Sequence, residues 1–490
     1  MPELADALLA HGQALCQLGR SVESLIPLAR AHARAPERRD ISIVLAMTLM
    51  ADGRDAEAVE VLRPIARDDG TELHFANALL RLTRSAEALA AYDRVLAATP
   101  DRAAALDQRA IALLDLDRFQ EALDSVDRAL AIQPGLESAL GNRARILMAL
   151  GRQAEAAVWL ERALADRPND VVLNVNLSTA RLLLGDFERG LKQYEWRWRL
   201  PGMRPFRPDG GARLWLGDDN LVGKTIVLYA DQGLGDAIQF ARYAALVAAK
   251  GAAVRLFVQP PLRRLLQTLK GVDQLLTAGD AVPAFDFYCP LLSLPLACGT
   301  RLGSIPAPRR YVAADAALVS AWADRLGPKI RPRVGVFWSS ASTDRLLRKR
   351  AIPLPRFARL FRPDIDVFVV QKDIAAADRA ALAGYKSVID LSADLTDFAE
   401  TAAAIENLDL IVSVDASVAH LAGAMGKPVW ILLHHDPDWR WLLGRDDSPW
   451  YPSARLFRQG APGDWDGVLD QVAAAMACFA AAGPAPESTR

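Results

Sequence analysis

The stretch "TIVLYADQGLGDAIQF" (225–240) decides how the rest of the chain is read. The apolar, β-branched run ending at Tyr229 suits a buried strand, and the apolar periodicity after Asp236 suits a helix. Two glycines between them let the chain turn sharply. Strand, tight loop and helix in that order form the unit of a parallel sheet covered on both faces. Such a loop can hold a phosphate, a dinucleotide or a carboxylate aimed at a reacting hydroxyl. It is not GxGxxG, and no acidic residue follows where a ribose would need one, which argues against a dinucleotide. Asp236 falls at or near the helix start. There it is either an N-cap or, at a strand end in a cleft, a general base.

Downstream, strands and helices keep alternating. "AVRLFVQ" (253–259) continues the first series, and a second runs through "RVGVFWS" (333–339), "IDVFVVQ" (365–371), "SVIDLS" (387–392), "LDLIVSV" (408–414), "PVWILL" (428–433) and "ARLFRQ" (454–459). Two such series predict two Rossmann-like halves facing each other, at 222–328 and 329–490. In open α/β sheets a ligand lies beyond the carboxyl ends of the strands, so the loops there are the candidate sites.

Upstream, the chain repeats. Pro100, Pro134 and Pro168 are 34 residues apart, as are Asp117, Gly151 and Gly185, and Ala122, Ala156 and Gly190. Gly19 and Gly53 keep the same interval, and one repeat near Thr83 is about four residues short. The period resembles the tetratricopeptide repeat, a helix–turn–helix unit that buries its apolar face by stacking on its neighbours. About six units are expected over residues 1–200. Such arrays bind a peptide or protein on a concave face, or serve as a scaffold or oligomerisation surface. The segment 201–221, rich in Pro, Gly, Trp and Arg, reads as a linker, with Trp196, Trp198 and Trp215 packing the array onto the first α/β half.

Composition narrows the function classes. The 490-residue chain is 51% hydrophobic with a net charge of −1, so no basic bias supports nucleic-acid binding. Cys16, Cys289, Cys298 and Cys478 show no metal-ligand spacing and fit reduced thiols in a cytoplasmic protein. The opening "MPELADALLAHG" lacks a basic n-region, and no apolar run approaches the ~20 residues of a membrane span.

Three further loops join "DQGLGD" as candidates. In "SVDASVAHLAGAMG" (413–426), Asp415, Ala416 and Ser417 open a helix whose free N–H groups suit a phosphate, with Ser417 and His420 on one face. In "WSSASTDRLLRKRAIPL" (338–354), Arg345, Arg348, Lys349 and Arg350 follow a strand, as a phosphate contact or as a solvated charge run. In "HHDPDWRW" (434–441), Asp438 and Trp439 follow another strand, and Trp439 could pack beside a base or sugar or simply in the core.

"QGLGDAIQFARYAALVAAKGAAVRLFVQPPL", "SVDASVAHLAGAMGKPVW" and "DWRWLLGRDDSPWYP" together resemble bacterial tetratricopeptide-repeat glycosyltransferases, whose catalytic half is heptosyltransferase-like with a GT-B fold. Where relatives often carry HxNDRxRS, this chain has "STDRLLRKRA". The resemblance implies an all-α solenoid followed by a GT-B pair. It implies Asp236 as the base, and a donor site from Asp415, Ala416, Ser417 and His420 with a basic contact among Arg345, Arg348, Lys349 and Arg350. Gln232, Gly233, Gly235, Asp438 and Trp439 would line the cleft. It further implies a nucleotide-sugar donor with no cofactor or metal, and a protein acceptor such as flagellin recruited by the repeats. A non-catalytic adaptor, or a transferase acting on a cell-surface or lipid-linked glycan, are the competing expectations.

Overall fold

The computed structural model describes residues 2–66, 69–203, 211–339 and 349–482. Six helix pairs follow the repeat: Pro2–Gln17 with Ser21–Arg34, Arg39–Ala51 with Asp55–Leu62, Asp69–Arg81 with Ser85–Ala98, Ala103–Asp115 with Phe119–Ile132, Glu137–Ala149 with Gln153–Asp166, and Val171–Leu183 with Phe187–Tyr194. The turn within each pair needs one left-handed residue. Gly19, Gly53, Gly151 and Gly185 take it at φ 72–82°, while Thr83 and Asp117 take it at 59° and 57° despite their side chains. Ala58, Ala88, Ala122 and Ala156, at one repeat position, are fully buried. Gly190 closes that series, and a Cβ there would lie 2.9 Å from the Leu182 side chain. The short repeat has lost its four residues from a second helix. Asp55–Leu62 has 8 residues where Ser21–Arg34 has 14.

Contacts divide the chain into two compact units, Met1–Pro168 and Asn169–Arg490. The sixth helix pair keeps the repeat period yet belongs to the second unit. Its Leu182, Leu183, Phe187 and Leu191 are buried in the same core as the sheets. Of the three linker tryptophans, Trp215 is buried and donates Nε1–H to the Asp219 carbonyl at 3.2 Å. The 3₁₀ turn Glu195–Arg199 instead gives the other two local partners. Arg199 covers Trp196 at 4.1 Å, and Trp198 donates to Glu195 at 3.1 Å. The packing expected of them is done by Phe187 and Tyr194, which meet Trp439 at 5.9 and 6.2 Å.

The second unit holds two wholly parallel sheets. The first orders β1 (Arg213–Leu214), β5 (Phe287–Pro290), β2 (Thr225–Tyr229), β3 (Ala253–Phe257) and β4 (Gln274–Leu276) side by side. The linker segment therefore adds an edge strand, β1, to this sheet. The second orders β11 (Ala454–Arg458), β10 (Val429–Leu433), β9 (Leu410–Val414), β6 (Arg333–Phe337), β7 (Asp366–Val369) and β8 (Val388–Asp390). Read from β8, that is the 3-2-1-4-5-6 order of a Rossmann sheet. Strands β6 and β9 are buried along their whole length, as central parallel strands must be. The whole is an all-α tetratricopeptide solenoid followed by the paired parallel α/β halves of a GT-B fold.

Strand order reverses between β2 and β5 in the first sheet and between β6 and β9 in the second. Those reversals open the crevices where α/β sheets bind ligands. The candidate loops follow β2, β6, β9 and β10.

Among the described residues, no helix is long and apolar enough to cross a membrane.

Candidate active site

After β2 the chain enters the helix Leu234–Phe240. Gly233 is the N-cap and Asp236 the third helical residue, so the carboxylate caps backward, accepting the Gly233 N–H at 3.0 Å. The simple N-cap reading of Asp236 is thereby corrected by two glycines that carry the turn three residues earlier. The other carboxylate oxygen of Asp236 faces Arg440, across the cleft on the second half, in a short ion pair. Gln232 reaches the Tyr194 hydroxyl at 3.3 Å, and its carbonyl accepts from Gln259 at 2.7 Å. Gly235 has no room for a side chain. A Cβ would sit 2.9 Å from His420 and 3.3 Å from the Ser417 Cα. The helix Ser417–Ala424 thus lies directly against the helix bearing Asp236.

The other aspartate of the quoted loop has a different task. Asp231 is buried, accepts the Leu292 N–H at 3.2 Å and pairs with Arg197 at 3.3 Å. It ties the loop after β2 to the loop after β5 across the first switch point. Burial raises its pKa, against the pull of Arg197. Beside it, at the carboxyl ends of β2 and β3, lies a cavity of about 360 Å³ walled by Trp198, Tyr229 and Phe257.

On the second half the charged side chains alternate. Arg440 contacts Asp438 at 2.7 Å, Arg350 lies 3.9 Å from the other Asp438 oxygen, and Arg350 reaches Asp415 at 2.9 Å. His420 Nε2 is 3.9 Å from Asp415, while its Nδ1 meets the Tyr451 hydroxyl at 2.9 Å. Asp236, Arg440, Asp438, Arg350 and Asp415 therefore form one ladder of alternating charge. Burial would raise the pKa of Asp438, but Arg440 and Arg350 together bring it below the usual carboxylate value. Burial dominates at Asp415 and raises it despite Arg350.

Ala416 caps the helix Ser417–Ala424 without a side-chain bond, and Ser417 is half-buried. Ser417 and His420 do not present one face to a ligand. His420 is buried, stacked on Trp441 at 5.3 Å and held by Tyr451, because Gly235 and Gly423 admit close neighbours. Trp439 is also no cleft surface. It is buried among Phe187, Phe240 and Trp450. Arg345 and Arg348 lie outside the described residues, whereas Lys349 and Arg350 lie within them. No group of three or more His, Cys, Asp or Glu among the described residues could hold a metal ion.

Tetratricopeptide-repeat family models match residues 73–137 and 113–175, and the model of glycosyltransferase family 9 (heptosyltransferase) matches residues 367–440. The chain joins tetratricopeptide repeats to a glycosyltransferase family 9 domain. The matched segment ends on Arg440 and includes Asp415, His420 and Asp438. Protein FlbA of Caulobacter vibrioides is 27% identical over 343 residues, covering 62% of this chain and 54% of that protein. The match thus spans about half of that relative's length. Among solved structures, a tetratricopeptide repeat protein from Parabacteroides merdae aligns at 17% identity over 40% of this chain and 80% of its own, with a TM-score of 0.36. A thermophilic tetratricopeptide protein in Thermus thermophilus aligns at 24% identity over 36% and 99%, with a TM-score of 0.32.

Arg440, Tyr451, Asp231 and Arg197 are the site residues that sequence reasoning passed over. The one available signal for Arg440 was its place beside Asp438 in "DPDWRW".

The two buried histidines give a pH prediction. Burial first, then neighbouring arginine charge, lowers His420 and His434 from 6.5 to about 3. A depressed folded pKa means stability is fully present above the unfolded value and is lost as pH falls toward the folded one. The melting temperature is expected to fall between pH 6.5 and 4.5, with up to two protons taken up on unfolding. His434→Gln should remove about one proton from that slope. An unchanged slope in the variant would show that His434 is already charged in the folded protein.

Proposed function

We propose that the protein transfers a sugar from a nucleotide-sugar donor to a hydroxyl of a protein acceptor recruited by the repeats. What carries the reading is that Asp236, at the switch point of the first sheet, faces the cationic loops of the second. Asp236 takes the proton of the acceptor hydroxyl as that oxygen attacks the anomeric carbon. The nucleotide phosphate leaves toward Lys349, Arg350 and the start of the helix Ser417–Ala424. One displacement inverts the anomeric centre. Guanidinium groups and helix N–H groups neutralise the leaving charge in a low-dielectric site, so the mechanism needs no metal.

The acceptor side has matching features. The cavity bounded by Trp198, Tyr229 and Phe257 offers an apolar recess on the Asp236 side. Within the repeats, a cavity of about 440 Å³ between Asp93, Arg109, Glu121 and Arg128 presents both signs of charge, which suits an extended polypeptide. Flagellin is the leading candidate acceptor, from the resemblance to flagellin-modifying transferases.

The test is a panel of nucleotide sugars, read by released nucleotide, with intact mass of co-expressed candidate acceptors. Transfer is expected, and it should persist after exhaustive EDTA treatment. Activity lost with EDTA and restored by Mn²⁺ or Mg²⁺ would overturn the metal-free route. Tight nucleotide binding without turnover on any acceptor would favour an adaptor.

A further inference from the structure

The charge ladder has an open face and a closed one. Asp236, Asp438 and Arg350 keep about a fifth to a quarter of their side chains exposed, at 22, 24 and 22%. Arg440 and Asp415 are buried, at 6 and 4%. A solute entering the cleft meets the carboxylates of Asp236 and Asp438 and the Arg350 guanidinium together.

The arginines are not saturated. The Nε–H groups of Arg440 and Arg350 are buried with no hydrogen-bond partner among the described residues. An unmet donor on a buried guanidinium is costly, and is held in place here by the ion pairs on the other nitrogens. Each arginine keeps a donor for an anion that its carboxylate partners do not fill. Arg440 is also fixed in orientation, lying 4.9 Å over Trp439 and 5.3 Å from the Phe240 ring. A planar fork held still in this way suits phosphate oxygens, which accept from two N–H groups at once.

We propose that Arg440 and Arg350 form the receptor for the phosphate of the donor nucleotide, and that this phosphate displaces the Asp236 carboxylate from Arg440. This rests on the glycosyltransferase reading and adds an order of events to it. In the resting protein Asp236 is bound to a cation and cannot take a proton efficiently. The donor phosphate takes over Arg440, and Asp236 turns free while its second oxygen keeps the Gly233 N–H. The base is therefore released only when there is a donor to react, which disfavours an acceptor bound alone. Asp438, set between the two arginines, keeps them spaced for the incoming oxygens.

The experiment is calorimetric titration of the full chain with UDP, GDP, CDP, ADP and CMP, taking whichever binds. Asp236→Asn removes the competing charge while keeping a polar group in place. It is expected to bind that nucleotide about three- to ten-fold more tightly than wild type while losing transfer. Arg440→Lys keeps the charge but loses the fork, and should bind about ten-fold more weakly, with its melting curve showing it folded. Unchanged or weaker nucleotide binding by Asp236→Asn overturns the exchange, as does failure of every nucleotide to bind wild type. Tighter binding with transfer intact leaves the exchange standing and removes Asp236 as the base. The two readings thus fail separately.

Discussion

Asp236→Asn is expected to lower sugar transfer by roughly 10²–10⁴-fold, the usual range for losing a general base, in a protein that still folds. The folding half of that statement follows from the two bonds Asp236 makes. Its cap to the Gly233 N–H survives, because an amide oxygen accepts as a carboxylate does. Its ion pair with Arg440 is weakened, but Arg440 keeps Asp438 at 2.7 Å, so no buried charge is stranded. Asp236→Ala would lose the cap as well, at about 0.5–2 kcal/mol, and would mix stability into the result. Single-turnover transfer with saturating donor reads the chemical step directly. A folded Asp236→Asn protein that transfers at the wild-type rate would falsify the assignment and move the search for the base to other acceptor-side groups.

Much of this geometry could be read from residue spacing because local rules and the fold agree. The helix pairs were legible since each turn demands a left-handed residue at one repeat position, and four of six are glycine. The four-residue deficit near Thr83 was visible as a broken interval, and appears as the short helix Asp55–Leu62. The strands stood out because central parallel strands are apolar on both faces, as in "RVGVF" and "LIVSV". Asp236, Asp415 and Asp438 were found because each follows a strand at or beside a switch point.

What stayed hidden depends on pairs that only tertiary structure makes. Arg440 lies 204 residues from Asp236, and nothing in "DWRW" says which carboxylate it will meet. The partner of His420 is Tyr451, reachable only because Gly423 lets that ring approach. Trp439 looked like a loop aromatic free to meet a ligand, and Phe187 on the sixth helix pair claims it. The unit boundary was hidden for the same reason. Phe119 and Phe187 occupy one repeat position, so the period continues past residue 168 although the sixth pair has changed neighbours.

That boundary sets the last prediction. A chain starting at Asn169 is expected to fold and bind nucleotide as the full protein does, yet to modify its protein acceptor at least 10²-fold more slowly. A chain starting at Gly211 is expected not to fold. The second expectation follows from burial. Starting at Gly211 removes Leu182, Leu183, Phe187 and Leu191, all buried in the core of the sheet unit. At about 1.5–3 kcal/mol per fully buried side chain, their loss rivals the total stability of about 5–15 kcal/mol typical of a domain. It also removes Arg197, the cation beside the buried carboxylate of Asp231, and stranding such a charge costs about 3–5 kcal/mol. Starting at Asn169 keeps all of these, and keeps Trp198 as a wall of the acceptor-side cavity. What it loses is the five-pair array, whose remote contacts with a protein acceptor would supply the binding energy that brings a hydroxyl to Asp236. Circular dichroism, a melting curve and nucleotide titration establish that the shortened chain is sound before transfer is measured. If it then modifies the same protein at the full-length rate, the first five helix pairs do not recruit the acceptor, and the scaffold role takes their place.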